Sequence, residues 1–352
     1  MHTTSILKSA LCLAPLCLLA PTLSAQAAQA DGHAPAGVMF EHAHREGEFM
    51  FGYNAQRVVQ DGAYYQGSEK ITDSNGSDAL GRYSMLSEKH DMVMHMLHFM
   101  YAPTDRVTLS LMPMYMTMDM DMRANPYQVD SGMGHGGMGH GDMSSHMSHS
   151  HGVSGLGDTL LGVTYRVLDE GAHQVLTTWA LSAPTGDFSE TGADGKPVHY
   201  GMQLGAGVWQ VLPSVTYKYN AEPFSAGAQL STRQPIGGTN NLGYYKGDEI
   251  SSTAWLSYLW NPAISSSVRL QYSKTDTIQG HYEVPHNHSA PADFQGNYGG
   301  EQILAGVGIN TVIPATGGLR LGAEYLIPIN ESLNGVQQQT RDVLNASISK
   351  AF

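Results

Sequence analysis

Apolar and polar residues alternate at every second position through most of this chain, most plainly near its carboxyl end. Leu344, Ala346, Ile348 and Phe352 fall on one face of an extended segment, with Asn345, Ser347 and Ser349 on the other. In the segment before it, Leu319, Leu321, Ala323, Tyr325 and Ile327 oppose Arg320, Gly322 and Glu324. Ile303, Ala305, Val307 and Ile309 oppose Gln302, Gly306, Gly308 and Asn310, and Val268, Leu270 and Tyr272 oppose Ser267, Arg269, Gln271 and Ser273. A period of two with one apolar face is the mark of a strand. About twelve strands are predicted, near residues 48–59, 90–102, 106–120, 157–168, 173–183, 203–218, 224–234, 250–260, 264–277, 301–313, 319–329 and 340–352. No helix is predicted from Glu48 onward.

Alternation alone suits a soluble sandwich as well as a membrane barrel, and the connections separate the two. Ala102–Arg106, Asp169–Ala172, Asn220–Glu222, Asn261–Pro262 and Ala315–Gly318 read as tight turns. Asp61–Lys89, Arg123–Gly155, Pro184–Tyr200, Pro235–Glu249 and Gly280–Gly299 are long. Short turns at one end and long loops at the other are the asymmetry of bacterial outer-membrane barrels. Tyr101, Tyr115, Tyr217, Trp260 and Tyr325 stand near the ends of apolar faces, where a membrane interface holds aromatic rings. Phe352 completes the last apolar face, a feature that outer-membrane assembly machinery reads. The expected fold is all-β, a transmembrane antiparallel up-and-down β-barrel over residues 48–352 with both termini periplasmic. Closure leaves no strand edge unpaired in lipid, where each unmet backbone group costs several kcal/mol.

The amino-terminal segment reads differently. Lys8, an apolar run from Ala10 to Leu23 and the triplets Ala25-Gln26-Ala27 and Ala28-Gln29-Ala30 describe a secretory signal over residues 1–30. The run is shorter than the roughly 20 residues of a helical span. Leu11 before Cys12 and Leu16 before Cys17 do not suit a lipoprotein. Both cysteines fall in this segment, so the exported chain is expected to lack disulfides and cysteine metal sites. Residues 31–47 would form a periplasmic segment able to plug the lumen. A formal charge of −13 disfavours nucleic acid and favours cations, with outer-membrane lipid as the solvent of the apolar faces.

Fifteen of the 19 methionines lie between Met85 and Met147. Met92, Met94, Met96 and Met100 share a face with His98, and Met112, Met114, Met116, Met118, Met120 and Met122 form an every-other-residue ladder in the next strand. The other face of that strand, Val107, Leu109, Leu111, Pro113 and Tyr115, suits lipid, so the methionines are expected to point into the lumen. The predicted loop 123–155 adds Met133, His135, Met138, His140, Met143, His146, Met147, His149 and His151 among glycines and serines. Thioether sulfur favours Cu(I), and imidazole favours Cu(II) and other borderline ions, so copper is the expected metal. Against this stand methionine as flexible apolar filler and histidine as a low-complexity solvated tract. His42 and His44, and His286 and His288, form H-x-H pairs that can chelate but are more often simply solvated. Arg166, Lys218, Arg233, Arg269, Arg320 and Glu324 are expected in the lumen, as channel lining or as an internal salt-bridge network.

Several segments resemble those of the outer-membrane barrels grouped as transporter-like or phenol-degradation meta-pathway proteins. They are Gly37-Val38-Met39-Phe40-Glu41-His42-Ala43-His44-Arg45-Glu46-Gly47-Glu48, Met94-His95-Met96 onward to Met100-Tyr101-Ala102-Pro103-Thr104-Asp105-Arg106, Gly155-Leu156-Gly157-Asp158-Thr159, and Leu181-Ser182-Ala183-Pro184-Thr185-Gly186-Asp187. The resemblance implies an outer-membrane barrel and leaves the substrate open. The Gly132–His151 stretch is longer and richer in histidine than the family pattern.

The expected function is therefore an outer-membrane channel or binding barrel for copper-like ions. Its loop would capture the ion and its lumenal methionines would relay it. The alternative is a channel for small hydrophobic or aromatic compounds, with methionine as adaptable lining. No nucleophile motif such as G-x-S-x-G is present, so catalysis is not expected.

Overall fold

The computed structural model describes residues 29–128 and 148–352, so the predicted signal lies almost wholly outside the described residues. Period-two alternation becomes a continuous antiparallel ladder. Its strands are β1 (Phe49–Gly67), β2 (Met85–Thr104), β3 (Val107–Met112 and Met114–Ala124), β4 (His149–Leu156 and Thr159–Glu170), β5 (His173–Ala183), β6 (Trp209–Ala221), β7 (Phe224–Ile236), β8 (Glu249–Asn261), β9 (Ile264–Thr275) and β10 (Gly300–Ile313). Pro113 lacks an N–H and interrupts β3, while its carbonyl still accepts from Leu97 N–H at 3.1 Å, which keeps β2 and β3 in register.

The last extended run, Leu319–Ala351, is two strands. A straight strand of this length would reach roughly 110 Å at about 3.3 Å per residue, several times the thickness of a membrane. Residues 319–333 (β11) pair with β10, and residues 336–351 (β12) pair with β1. Asn345 Nδ2 donates to Glu324 Oε2 at 3.1 Å, and Leu326 packs on Val343, as a fold-back at Asn334-Gly335 requires. Gly335 has φ of 56°, the left-handed value that an Asn-Gly hairpin turn demands. The ladder closes where β1 pairs with both β12 and β2. Among the described residues, twelve strands thus form an antiparallel closed barrel without a sheet edge in the membrane.

Outward faces carry lipid-facing side chains: Leu109, Leu111, Tyr115, Tyr217, Val268, Val307 and Tyr325 are exposed, as are Tyr101 and Trp260. No helix among the described residues is long and apolar enough to cross a membrane, and crossing is by strands. Outward ion pairs, Arg57–Asp91, Lys274–Glu301 and Arg341–Asp61, gather toward the long-loop ends.

The structure departs from the sequence expectation in five places. β1 runs on to Gly67 and β2 starts at Met85, so the predicted loop 61–89 is shorter. Residues 203–208 are loop, because the buried Gln203 is drawn outward to Glu190 and to the Tyr282 hydroxyl. The predicted loop 123–155 is shorter, since β3 runs to Ala124 and β4 starts at His149, opposite Met122. Residues 330–339, between two predicted strands, are strand apart from the tight turn. A five-residue helix, Gly76–Leu80, and short 3-10 turns sit in the outer loops.

Candidate metal path in the lumen

Residues 29–47 lie inside the barrel and meet the wall first at the short-turn mouth. Ala30 N–H donates to Pro262 O at 3.2 Å and Glu46 N–H to Asp105 Oδ1 at 3.0 Å, both in short turns. Between these points wall side chains hold the backbone. Arg320 donates to Gln29 O and Ala30 O, Lys218 to Gly32 O, Asn54 to Ala36 O, Gln229 to Met39 O and Arg166 to Ala43 O. Gly37 N–H donates to Glu324 Oε2 at 3.0 Å, and a Cβ there would lie 2.5 Å from Asn345 Nδ2, so this close approach needs glycine. The lumenal charges read from sequence mostly fasten this segment or one another. Arg269 pairs with Glu324 at 2.9 Å, and Arg233 lines a cavity.

Phe40 is the segment's apolar anchor. Its φ of 56° is rare for an aromatic residue, and its ring is buried among Met96, Met112, Leu160, Ala180 and Leu212. Beside it, burial alone would raise the Glu41 carboxyl, but Lys218 and His42 outweigh that and hold it at about 2. Burial, reinforced by repulsion from His42, pushes the His44 imidazole down to about 4.

Above the segment, methionines of β2 and β3 face one another across the ladder. Met92 pairs with Met118, Met94 with Met116 and Met96 with Met114. All lie on the inward face, where Met112 and Met118 are almost wholly buried. Their neighbour on β4 is the interruption of that strand at Gly157. The Sδ atoms of Met114 and Met116 lie 3.2 and 3.1 Å from the point a Cβ would take there. A cavity of about 260 Å³ opens beside them, lined by Met39, Met92, Met94, Met114 and Met116 and by the amides Asn54, Gln56, Gln210 and Asn345. Lys246 also reaches this cavity, and burial pushes its ammonium down.

The column continues outward. Met85, Met120, Met122 and Met202 pack with Val198 and Val153, and Val153 also touches the Met116–Met118 group. Met94 and Met114 in turn touch both that group and the Phe40 cluster. Methionine-rich packing therefore runs unbroken from the outer loops to the lumen segment. At the outer end a cavity of about 240 Å³ is lined by Met85, Met122, His151 and His199. The rings of His151 and His199 lie 5.9 Å apart, and His199 Nδ1 meets Asp293 Oδ1 at 2.6 Å. Burial works to raise the Asp293 carboxyl, but the His199 hydrogen bond and the N–H groups of Ala290 and Ser289 outweigh it, so it sits below the usual carboxylate range. Above this, Tyr200 stacks on Tyr282 at 4.1 Å with Tyr244 edge-on at 4.9 Å, and the loops cover the outer mouth.

Of the residues singled out in the sequence, Met94, Met96, Met112, Met114, Met116 and Met118 come together in this column, with His98 on the same wall. His151 joins Met120 from a strand rather than a loop, and His149 begins that strand. His135, Met138, His140, Met143, His146 and Met147 lie outside the described residues. Met39, Met85, Met202 and His199 were not singled out. Met39 stood in a recognised segment, whereas His199 is a lone loop histidine with no local signal.

A closed antiparallel barrel with an aliphatic and aromatic outer face is an outer-membrane β-barrel. The chain belongs to the family described as "Putative MetA-pathway of phenol degradation", which matches residues 117–311. Its fold is similar to that of an outer membrane channel from Pseudomonas putida F1, with 16% identity, 90% of this chain and 99% of that one covered, and a TM-score of 0.58. A FadL homologue of Pseudomonas aeruginosa aligns at 9% identity over 86% of this chain and 90% of that one, with a TM-score of 0.41. No curated protein sequence matches the chain.

Proposed function

We propose that this barrel is an outer-membrane channel that passes soft, copper-like ions along its methionine column. The observation that carries the reading is the inward, cross-strand pairing of Met92, Met94 and Met96 with Met118, Met116 and Met114 beside a cavity. Thioethers are neutral and bind Cu(I) or Ag(I) without a large desolvation cost, so neighbouring weak sites permit ligand exchange from one to the next. The segment between β3 and β4, with His135, His140 and His146, would raise the local ion concentration at the outer mouth. His151 and the His199 cavity would receive the ion from it.

The family description and the apolar share of the cavity, Leu160 and Leu204, favour a second reading in which the lumen takes small aromatic solutes. Leucine separates the two, because Met→Leu keeps volume and apolarity while deleting sulfur. Proteoliposomes carrying the wild type and a Met92→Leu, Met94→Leu, Met114→Leu, Met116→Leu variant would be compared for Ag(I) entry and for entry of phenol. Ag(I) entry falling at least tenfold in the variant, with phenol unchanged, is the expected result. Equal Ag(I) entry in both proteins would sink the relay, and phenol entry dependent on the protein would then establish the second reading.

A further inference from the structure

The segment inside the barrel carries a set of donors that the methionine column does not use. Between Gly32 and Glu41 the chain doubles back, with Val38 N–H donating to Pro35 O at 3.0 Å. One wall cation ties the two arms, since Lys218 Nζ donates to Gly32 O at 2.8 Å and to Glu41 Oε2 at 3.1 Å. The other carboxylate oxygen, Oε1, lies 2.8 Å from Nδ1 of His33 and 2.8 Å from Nδ1 of His42. The two rings stand 4.1 Å apart at a tilt of 58°. His33, Glu41 and His42 thus each offer one ligand atom, and the three atoms all lie within 4.8 Å of one another.

Two imidazole nitrogens around one carboxylate oxygen either share protons or hold an ion. Ligand atoms about 2.0–2.1 Å from a metal, at angles of about 90–109°, are roughly 2.8–3.4 Å from one another. Both N···O separations are of that size. Glu41 is buried, while the His33 and His42 side chains keep part of their surface open, so an ion has a way in. A neutral imidazole carries its proton on either nitrogen, and Nε2 of His42 is buried without a partner, so nothing at that end fixes the proton on Nδ1. We propose that His33 and His42, each through Nδ1, and Glu41 through Oε1 bind one borderline divalent cation, which clips the lumen segment into its fold. Two imidazoles and a carboxylate suit Zn(II) and Cu(II), in contrast to the thioethers above. His44, although edge-on to His42 at 5.1 Å, places Nδ1 3.4 Å from Glu48 Oε2 and stands outside the set. The site shares no residue with the methionine column and does not need that reading to hold.

The test uses the folded full chain, with His135, His140 and His146 changed to alanine so that imidazoles between β3 and β4 do not compete. Zn(II) titration by calorimetry should show one equivalent that is lost in His33→Gln and again in His42→Gln. His44→Gln should leave it in place. Met94→Leu with Met116→Leu should also leave it, which separates failure of this site from failure of the methionine path. Saturating Zn(II) should raise hydrogen-exchange protection across residues 34–40 in the parent and not in His33→Gln, as a clip between His33 and Glu41 requires. Heat-modifiable gel migration establishes that each variant has closed its barrel. Crystals of the wild type soaked in Zn(II) should give an anomalous peak within bonding distance of both Nδ1 atoms and Oε1. An equivalent that survives in His33→Gln, or crystals without that peak, would mean that the three groups only share protons and would overturn the assignment.

Discussion

At the residue scale, Phe40 concentrates two opposing demands. Its left-handed backbone is strained, and its ring is held by methionine and leucine on the barrel wall. Phe40→Ala removes about 3–5 kcal/mol of buried contact at a position the strand ladder does not depend on. The barrel should therefore stay closed while residues 29–47 loosen, and liposome swelling by small sugars should rise several-fold over wild type. Swelling at the wild-type rate would mean the segment is held by its polar ties alone. Gly37→Val should act in the same direction, because the new side chain would meet Asn345 and Glu324.

At the element scale, the segments that carry the family resemblance turn out to interlock. Asp158 accepts N–H groups from Gly186 at 3.0 Å and from Ala206 at 2.9 Å, and Thr185 donates to Gly157 O at 3.0 Å. The break in β4 is thereby tied to the loop that closes the outer mouth. Asp158→Ala leaves two buried N–H groups unpaired, at about 1–3 kcal/mol each. It should speed proteolysis within residues 184–208 without altering barrel migration on a gel. The turn at Ala102–Arg106 has the same kind of role at the other mouth, where Asp105 holds Glu46. The outer loops should also respond to acid through Asp293. Its folded pKa lies below the unfolded value, so its contribution is complete above about 3.9 and fades as pH falls through the lower folded value. The protection factors of the Ser289 and Ala290 amides, whose N–H groups it accepts, should therefore fall below pH 4 and hold steady from pH 5 to 8 once the intrinsic exchange rate at each pH is divided out.

At the scale of the whole molecule, the barrel is stable because every strand has two neighbours and an outward face that matches lipid. Val307 stands on that face, paired with Val268 and Tyr325. Val307→Arg should cost about 2–4 kcal/mol in a bilayer if it lies near the midplane, and Val307→Leu almost nothing. Urea unfolding in lipid vesicles measures the difference, and equal midpoints would place Val307 outside the hydrocarbon band. The interior, by contrast, is filled rather than open. The lumen segment, the Arg269–Glu324 pair and the methionine column leave cavities of about 230–260 Å³. A path through such a lumen proceeds by exchange between neighbouring groups.

The period-two pattern by itself determined where most strands run, and together with the connection lengths and the apolar faces it determined that the chain is a barrel with the methionine ladder of β3 turned inward. Each of these follows from a local rule, since side chains of a strand alternate and the lipid side must be apolar. Connection lengths likewise distinguished the two mouths. Sequence did not show that β11 and β12 meet in a two-residue turn, because the polar residues 330–339 read equally well as loop. Nor did it show that Met202 and His199 join Met85, Met122 and His151. Those groups come together from separate strands and loops, and no local pattern records such distances. Barrel closure and the folding of residues 29–47 into the lumen bring them within reach, and only the tertiary structure decides which nitrogens and sulfurs share a space.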